Sequence, residues 1–241
     1  MITAYVRLEV RRTLRDTPFV VFGIGMPVLM YLLFTNLGTN DTEWKTAAMV
    51  AMAAYGALGA ALSTGTGVAE DKGVGWLRQL RVTPMSPRQV VAGRALTGSV
   101  IVLPAIAAVL AAGALVNGVR LDAWQWAAVS LALWLGALPF TLLGIGIGNG
   151  YRLTAQTTGL VNVGCSLALS VAGGLWFPVE LFPQWMRSLS ALTPTRRFAE
   201  IGQTLATGAA PGLAAVAVVA GWALLFGSYA VLSYRRSART A

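Results

Sequence analysis

Residues 46–68 read TAAMVAMAAYGALGAALSTGTGV and contain no Asp, Glu, Lys or Arg. A helix of about 20 apolar residues is long enough to cross the roughly 30 Å hydrocarbon core of a bilayer. A charged side chain at the centre of such a helix would cost about 2.5–3.5 kcal/mol on the insertion scale. The stretch therefore predicts a membrane-spanning helix, and five other stretches of the chain share its character.

The composition of the whole chain agrees with a membrane protein. Of its 241 residues, 56% are hydrophobic and only 11% are charged, whereas soluble domains average roughly 25% charged. We predict an all-α integral membrane protein that forms a single transmembrane domain over residues 1–241. Its six predicted spans are residues 18–37, 46–68, 94–117, 124–148, 154–176 and 211–234.

Two residue types exclude whole classes of site. Cys165 is the single cysteine and the chain has no histidine. An intrachain disulfide, a thiolate metal site, His-ligated zinc and Ser-His-Asp or Cys-His catalysis are therefore excluded. We predict neither a catalytic residue nor a metal site.

The net charge of +9 reports topology rather than a nucleic-acid partner, because the cations cluster between apolar runs. With the amino terminus inside, thirteen of the eighteen cations fall in cytoplasmic segments: Arg7, Arg11, Arg12, Arg15, Lys72, Arg78, Arg81, Arg88, Arg94, Arg152, Arg235, Arg236 and Arg239. The other five fall outside: Lys45, Arg120, Arg187, Arg196 and Arg197. This asymmetry places both termini in the cytoplasm.

The amino-terminal segment, residues 1–17, precedes the first span. Arg7, Arg11 and Arg15 recur at four-residue spacing, with apolar residues on other faces. This pattern predicts an amphipathic helix at the cytoplasmic membrane surface, although a merely basic tail would share the charge.

The loop after the second span reads EDKGVGWLRQLRVTPMSPRQVVAGR from Glu70 to Arg94. Apolar side chains are interleaved with Arg78, Gln79 and Arg81 before Pro84, which favours a short amphipathic helix that ends at the proline. The apolar members are Trp76, Leu77, Leu80 and Val82. Such a helix is suited to dock into a partner's groove, but a loop helix resting on the membrane would show the same pattern.

The segment before the last span reads GGLWFPVELFPQWMRSLSALTPTRRFAEI from Gly173 to Ile201. It is aromatic and apolar, yet prolines interrupt it three times. It suits short helices that re-enter the membrane or rest on its outer surface, where tryptophan is favoured; an ordinary packed external cap is the alternative. Its candidate residues are Trp176, Phe177, Pro178, Glu180 and Trp185.

A transport path is predicted from polarity alone. The polar side chains within or near the spans are Asn36, Ser63, Thr64, Thr66, Asn162, Ser166 and Ser170. Each could line a path, or could equally be satisfied by its own helix backbone or by a neighbouring helix.

These features resemble the type-2 ATP-binding-cassette exporter permeases, which include drug-efflux and polysaccharide-export membrane subunits. In the loop EDKGVGWLRQLRVTPMSPRQVV the family shows an acidic residue, a glycine and a leucine-rich stretch ending in Thr-Pro. The segment GGLWFPVELFPQWMRSLSALTP is similar to the family's segment before the last span. The resemblance covers essentially the whole chain; one departure is DKGVG, where members commonly carry a more charged run.

The resemblance implies a coupling helix within Glu70 to Thr83 that docks on an ATPase, and short external helices within residues 177–200. The implied coupling residues are Glu70, Trp76, Leu77, Gln79, Leu80, Arg81 and Thr83. It also implies two permease subunits, identical or paralogous, that are in contact with membrane lipid. Two ATPase subunits would bind to this pair. Because the phosphate-binding pattern G-x-x-x-x-G-K-[ST] is absent, ATP and Mg are expected on the partner and the chain itself is not expected to be an enzyme.

The expected function is therefore the export of an amphipathic drug-like or lipid-linked substrate across the bacterial inner membrane by a multi-pass permease. Multidrug efflux and antibiotic resistance follow as expectations. A proton-driven secondary transporter is the nearer rival, although it would usually show carboxylates or histidine in the membrane and a visible repeat. A lipid transferase acting through Glu180 or Glu200 is the more distant one.

Overall fold

The computed structural model describes residues 17, 19–37, 41–73, 87–150, 153–177 and 179–240. Over these residues the fold is helical and contains no strand, which confirms the all-α prediction there. A π-helix over Phe19–Gly25 leads directly into the first α-helix, and a 3-10 turn over Val179–Leu181 precedes α7. The α-helices are α1 (Met26–Leu37), α2 (Thr42–Gly73), α3 (Pro87–Leu115), α4 (Ala123–Gly136), α5 (Leu138–Gly148), α6 (Ala155–Ala172), α7 (Gln184–Ser190), α8 (Pro194–Ala206) and α9 (Leu213–Thr240).

The centre of the fold is α2, which contacts α1, α3, α5, α6 and α8. Every residue from Ala48 to Ala54 is buried. A helix surrounded by other helices must be apolar on all sides, which explains the charge-free run in its sequence. Its 32 residues would measure about 48 Å at 1.5 Å per residue, so α2 is longer than the hydrocarbon core is thick.

Glycines allow α2 and α5 to cross backbone against backbone. A Cβ added to Gly144 would lie 2.7 Å from the carbonyl oxygen of Leu62, and a Cβ on Gly148 would meet the backbone of Gly65. Lipid tails are as apolar as the side chains, so helices in a membrane gain little by burying apolar surface against each other. Close backbone packing supplies the attraction instead.

The predicted span 124–148 consists of two helices with a break at Ala137. Pro139 stands in the first turn of α5, where a missing N–H costs little. Beside the break, a Cβ on Gly136 would meet the ring of Phe198 from α8, and that ring lies 5.6 Å from the ring of Phe140. The break therefore makes room for an aromatic side chain from α8.

On α6 the apolar side chains face outward and the polar side chains face the bundle, which is the reverse of a helix at the surface of a soluble protein. Its apolar residues Leu160, Val163 and Leu167 are 70%, 59% and 42% exposed. Its polar residues at four-residue spacing are buried instead: Thr158, Asn162, Ser166 and Ser170. In water this arrangement would be unfavourable, but against lipid it is the expected one.

Five stretches of the described residues are long and apolar enough to cross a membrane. They are Val20–Leu37, Thr42–Gly73, Gln89–Leu115, Ala123–Gly148 and Leu213–Ser237. They correspond to five of the six predicted spans. The sixth, residues 154–176, falls on α6, which ends at Ala172 and whose buried polar side chains make it less apolar than the other five.

The bundle has two ends, named here after one residue each. At the Trp44 end, hydrogen bonds join α1, α2, α3, α4 and α8: Trp44 Nε1 to the Phe34 carbonyl (3.3 Å), Asn117 Nδ2 to Thr35 Oγ1 (3.0 Å) and Gln125 Nε2 to the Ala206 carbonyl (3.0 Å). The Lys72 end carries the last turn of α2, the first turns of α3 and α6 and the end of α5. The helices that run between these two ends, in alternating directions, are α1, α2, α3, the pair formed by α4 and α5, α6 and α9.

The segment between α6 and α9 forms the short helices that the resemblance implied. Of these, α8 runs from the middle of the bundle toward the Trp44 end: Phe198 lies beside Gly136, and Ala206 lies beside Gln125 near the start of α4. The eight steps from Phe198 to Ala206 correspond to a rise of about 12 Å in a helix. So α8 enters the bundle by about two helical turns.

Candidate functional site

A polar interface joins α2 to α6 inside the bundle. Asn162 Nδ2 of α6 donates to Thr66 Oγ1 of α2 at 3.3 Å. Ser166 lies near Gly59 of α2, and Ser170 Oγ donates to the Ser166 carbonyl at 2.6 Å. The structure therefore brings four of the predicted path residues, Thr66, Asn162, Ser166 and Ser170, to one interface.

Several polar atoms at or near this interface are buried without a partner. They include Thr158 Oγ1 and Asn162 Oδ1. Because a buried acceptor without a hydrogen bond costs about 1–3 kcal/mol, these atoms can accept a hydrogen bond when the helices move or when a polar molecule enters. The α2–α6 interface is therefore one polar region of the bundle interior that contains unsatisfied groups.

The other predicted path residues do not join it. Asn36 is exposed near the Trp44 end, and its amide donates to the carbonyl of Leu32 in its own helix. Ser63 Oγ donates to the Ala60 carbonyl within α2. Thr64 faces α3, where a Cβ on Gly98 would meet its side chain. The side chains of Asn36 and Ser63 are therefore hydrogen-bonded to the backbone of their own helix, as the alternative interpretation expected.

At the Lys72 end the last turn of α2 is tied to its neighbours. Lys72 Nζ donates to the Gly150 carbonyl at 2.7 Å, just past the end of α5. Asp71 forms an ion pair with Arg94 of α3 at 2.8 Å. Glu70, the first predicted coupling residue, is exposed on the same turn. This turn of α2 is therefore linked to α3 and to the residues just after α5.

The remaining predicted coupling residues, Trp76, Leu77, Gln79, Leu80, Arg81 and Thr83, lie outside the described residues. The described ends of their loop are Gly73 and Pro87. The contacts of Asp71 and Lys72 sit directly at the first of these ends. Sequence analysis counted Lys72 and Arg94 only as cytoplasmic charges and did not predict their contacts. Their positions, at the end of one predicted span and the start of the next, could have indicated that they lie close together.

At the Trp44 end a cavity of about 280 Å³ opens between α1, α2, α8 and residues 173–179. Trp176 and Phe177, both predicted as residues of the external segment, line it. Trp185 lies on α7 and is 66% exposed, and Glu180 belongs to the 3-10 turn. Pro178 lies outside the described residues.

The cavity also has polar lining residues: sequence analysis did not name Gln203, and it counted Arg196 only as an external cation and Glu200 only as a residue of the rival transferase. Gln203 Nε2 of α8 donates to the Ala47 carbonyl of α2 at 3.3 Å, and Arg196 and Glu200 lie on the same helix. The spacing of Arg196, Glu200 and Gln203, four and then three residues apart, could have predicted that they share one face of a helix.

A comparison with protein families decides what kind of chain this is. The family model described as ABC-2 type transporter matches residues 2–204. The chain belongs to the ABC-2 type transporter family. That match contains both sequence motifs quoted above, which confirms the resemblance to type-2 ATP-binding-cassette permeases.

A relative of this ABC-2 chain is YvfS of Bacillus subtilis (strain 168), whose name describes a transport permease. The two are 28% identical over 223 residues, which cover 90% of each chain. As an ABC-2 type transporter chain, the protein is a membrane transport permease subunit and a multi-pass protein of the cell membrane. Members of this family are membrane subunits of transporters, and membership implies association with an ATP-binding subunit.

Proposed function

We propose that this ABC-2 type permease is the membrane subunit of an exporter that moves an amphipathic drug-like or lipid-linked substrate out of the cell. A pair of permease subunits, identical or paralogous, works with two copies of a separate ATPase that binds ATP and Mg. The observation that carries the proposal is the family match over residues 2–204, which includes the loop after α2.

The proposed membrane arrangement has six spans, with α6 as the fifth. The apolar outer face of α6 can contact lipid, while its polar face is covered by α2, so its modest overall apolarity does not prevent it from crossing. The excess of Lys and Arg in the segments at the Lys72 end supports a cytoplasmic position for that end and for both termini. The cavity and α8 then lie in the outer half of the membrane, and α8 is a re-entrant helix.

The proposed mechanism transmits the closure of two ATPases through the loop after α2. Apolar residues of that loop would occupy a groove on the ATPase, and the ion pair of Asp71 with Arg94 and the contact of Lys72 with Gly150 would carry the displacement to α3 and α5. The α2–α6 interface is a part of the interior with polar groups free to meet a substrate. Its partly unsatisfied hydroxyl and amide groups, without a fixed charge, suit an amphipathic molecule better than an ion.

The energy source tests this proposal against its rivals. Cells that express the chain with its ATPase are loaded with a fluorescent amphipathic dye, and efflux is followed after ATP depletion and, separately, after collapse of the proton gradient by an ionophore. We expect ATP depletion to stop efflux and the ionophore to leave it largely intact. The reverse result would establish a proton-driven secondary transporter, and release of a modified lipid without efflux would indicate a transferase.

Single-cysteine labelling tests the sixth span. In a Cys165→Ser background, Gln156→Cys places a thiol in the first turn of α6 and Leu181→Cys places one beyond its other end, and both positions are exposed. A membrane-impermeant maleimide should label Leu181→Cys in intact cells and Gln156→Cys only after permeabilisation. If both thiols react from the same side, α6 does not cross the membrane.

A further inference from the structure

The cavity at the Trp44 end combines an apolar wall with hydrogen-bond donors. Phe34 of α1, Met52 of α2 and Leu175 supply apolar surface. Its volume of about 280 Å³ is slightly below the range of roughly 300–1,000 Å³ that small-molecule sites occupy. A polar head with the first part of an acyl or alkyl chain would fit, whereas an entire lipid would not.

One donor in the lining is buried and has no partner. The indole N–H of Trp176 makes no hydrogen bond although its nitrogen is inaccessible to solvent. The ring is held by Tyr55, whose ring centroid is 5.4 Å away with an interplanar angle of 82°. Because leaving a buried donor unpaired costs about 1–3 kcal/mol, a small displacement of the ring that turns this N–H toward an acceptor in the cavity would recover that free energy.

The charges of the lining favour an anion. Arg196 is partly buried, and within the described part of the chain no carboxylate forms an ion pair with it. Glu200 also lines the cavity, but it is paired with Arg197 at 2.7 Å, and Arg197 donates as well to the Ala191 carbonyl. With Glu200 neutralised in this way, the guanidinium of Arg196 is the uncompensated charge of the lining.

We propose that this cavity binds the phosphate-bearing head of an anionic amphiphile, with the first carbons of its chain against Phe34, Met52 and Leu175. The guanidinium of Arg196 would donate to phosphate oxygens, a geometry that arginine favours, and the Trp176 indole N–H would supply a further hydrogen bond. Such an amphiphile has two sources, a bilayer phospholipid held in place or a lipid-linked cargo in transit. The inference rests on the membrane location of the permease and requires neither the proposed ATPase coupling nor the proposed orientation.

Binding of dodecyl phosphate to the purified permease tests the proposal in the absence of ATP. The full chain, alone or with its partner, is held in dodecyl maltoside, whose head is uncharged, and titrated while its thermal unfolding is followed. We expect saturable stabilisation by dodecyl phosphate and little effect of inorganic phosphate at equal concentration. Arg196→Gln should weaken binding at least tenfold and Trp176→Phe several-fold.

Matched variants at the same end of the bundle provide the controls. Arg120→Gln removes an exposed cation and Trp124→Phe an exposed indole, and neither residue lines the cavity. Both should bind like the wild type. Arg196→Lys, which keeps the charge but not the planar donor pair, should give intermediate affinity. If Arg196→Gln does not fold, Trp176→Phe and Arg196→Lys still decide the result.

Equal binding by Arg196→Gln and Arg120→Gln, or stabilisation that never saturates, would overturn the proposal. Native mass spectrometry then separates the two sources. A phospholipid that copurifies with the wild type and is lost in Arg196→Gln identifies a resident lipid, whereas dodecyl phosphate binding without displacement of lipid identifies a site for cargo. Since no step uses ATP, a failure here leaves the proposed ATP-driven transport untouched, and a failure of ATP-driven transport leaves this site untouched.

Discussion

Replacing Gly144 with alanine is expected to lower the free energy of unfolding by about 1–3 kcal/mol. The new Cβ would lie 2.7 Å from the Leu62 carbonyl oxygen and 3.0 Å from its Cα, and both are backbone atoms of α2 that no rotamer change can move. Either α5 shifts away from α2 or the contact stays strained. Chemical denaturation of the purified protein in detergent, followed by loss of helical circular dichroism, measures the change.

Gly221→Ala in α9 is the matched control, because a Cβ at Gly221 would meet nothing within 4 Å. Alanine is favoured over glycine inside a helix by up to about 1 kcal/mol, so this variant should be as stable as the wild type or slightly more stable. Equal stability of Gly144→Ala and Gly221→Ala would mean that α2 and α5 do not cross as closely as described here.

The double substitution Leu77→Asp with Leu80→Asp is expected to abolish ATP-driven transport by uncoupling the permease from its ATPase. Removing a leucine side chain from a buried contact costs about 1.5–3 kcal/mol. Two such losses amount to about 3 kcal/mol or more, which would weaken docking by a factor of at least about 100. Copurification of the ATPase with the tagged permease measures docking, and efflux of an amphipathic dye measures transport.

Leu213→Asp controls for the new charge. Leu213 begins α9 at the Trp44 end and is 87% exposed, and a carboxylate near a helix amino terminus is tolerated. This variant should keep the ATPase and the transport activity. Should the Leu77→Asp and Leu80→Asp pair retain both, the assignment of the coupling helix is wrong.

The long apolar helices could be predicted from the sequence because a long apolar run has one stable conformation in lipid. That conformation is a helix, in which every backbone N–H and C=O is paired within the run itself. It could not locate the break at Ala137. Pro139 lies within the predicted span, but a proline is compatible with a kinked continuous helix as well as with two helices. Phe198, which packs beside the break, is 61 positions after Ala137 in the chain and reaches it only in the folded protein.

The polar α2–α6 interface was predicted only in part, for a similar reason. Asn162, Ser166 and Ser170 are spaced by four residues, so the sequence places them on one face of a helix. Whether that face meets lipid, a subunit or another helix depends on tertiary packing. The structure shows α2 there, and it adds Thr158, which has the same four-residue spacing but was not among the predicted residues.

The cavity could not be predicted from sequence because its lining comes from four separated segments. The aromatic and proline-rich composition of residues 173–201 predicted short helices, and the structure contains them. Which of their charges stays unpaired depends on distance: Arg197, and not Arg196, reaches Glu200. Two adjacent arginines are equivalent in a sequence and acquire different roles only in the fold.

The proposed mechanism requires that the permease is moved by a separate ATPase that it binds. The most direct measurement is the subunit composition of the particle purified from native membranes through a tag on this chain, determined by native mass spectrometry together with its rate of ATP hydrolysis. The account predicts two permease subunits with two copies of an ATP-hydrolysing subunit. A particle that contains the permease alone, or with partners that hydrolyse no nucleotide, would contradict it.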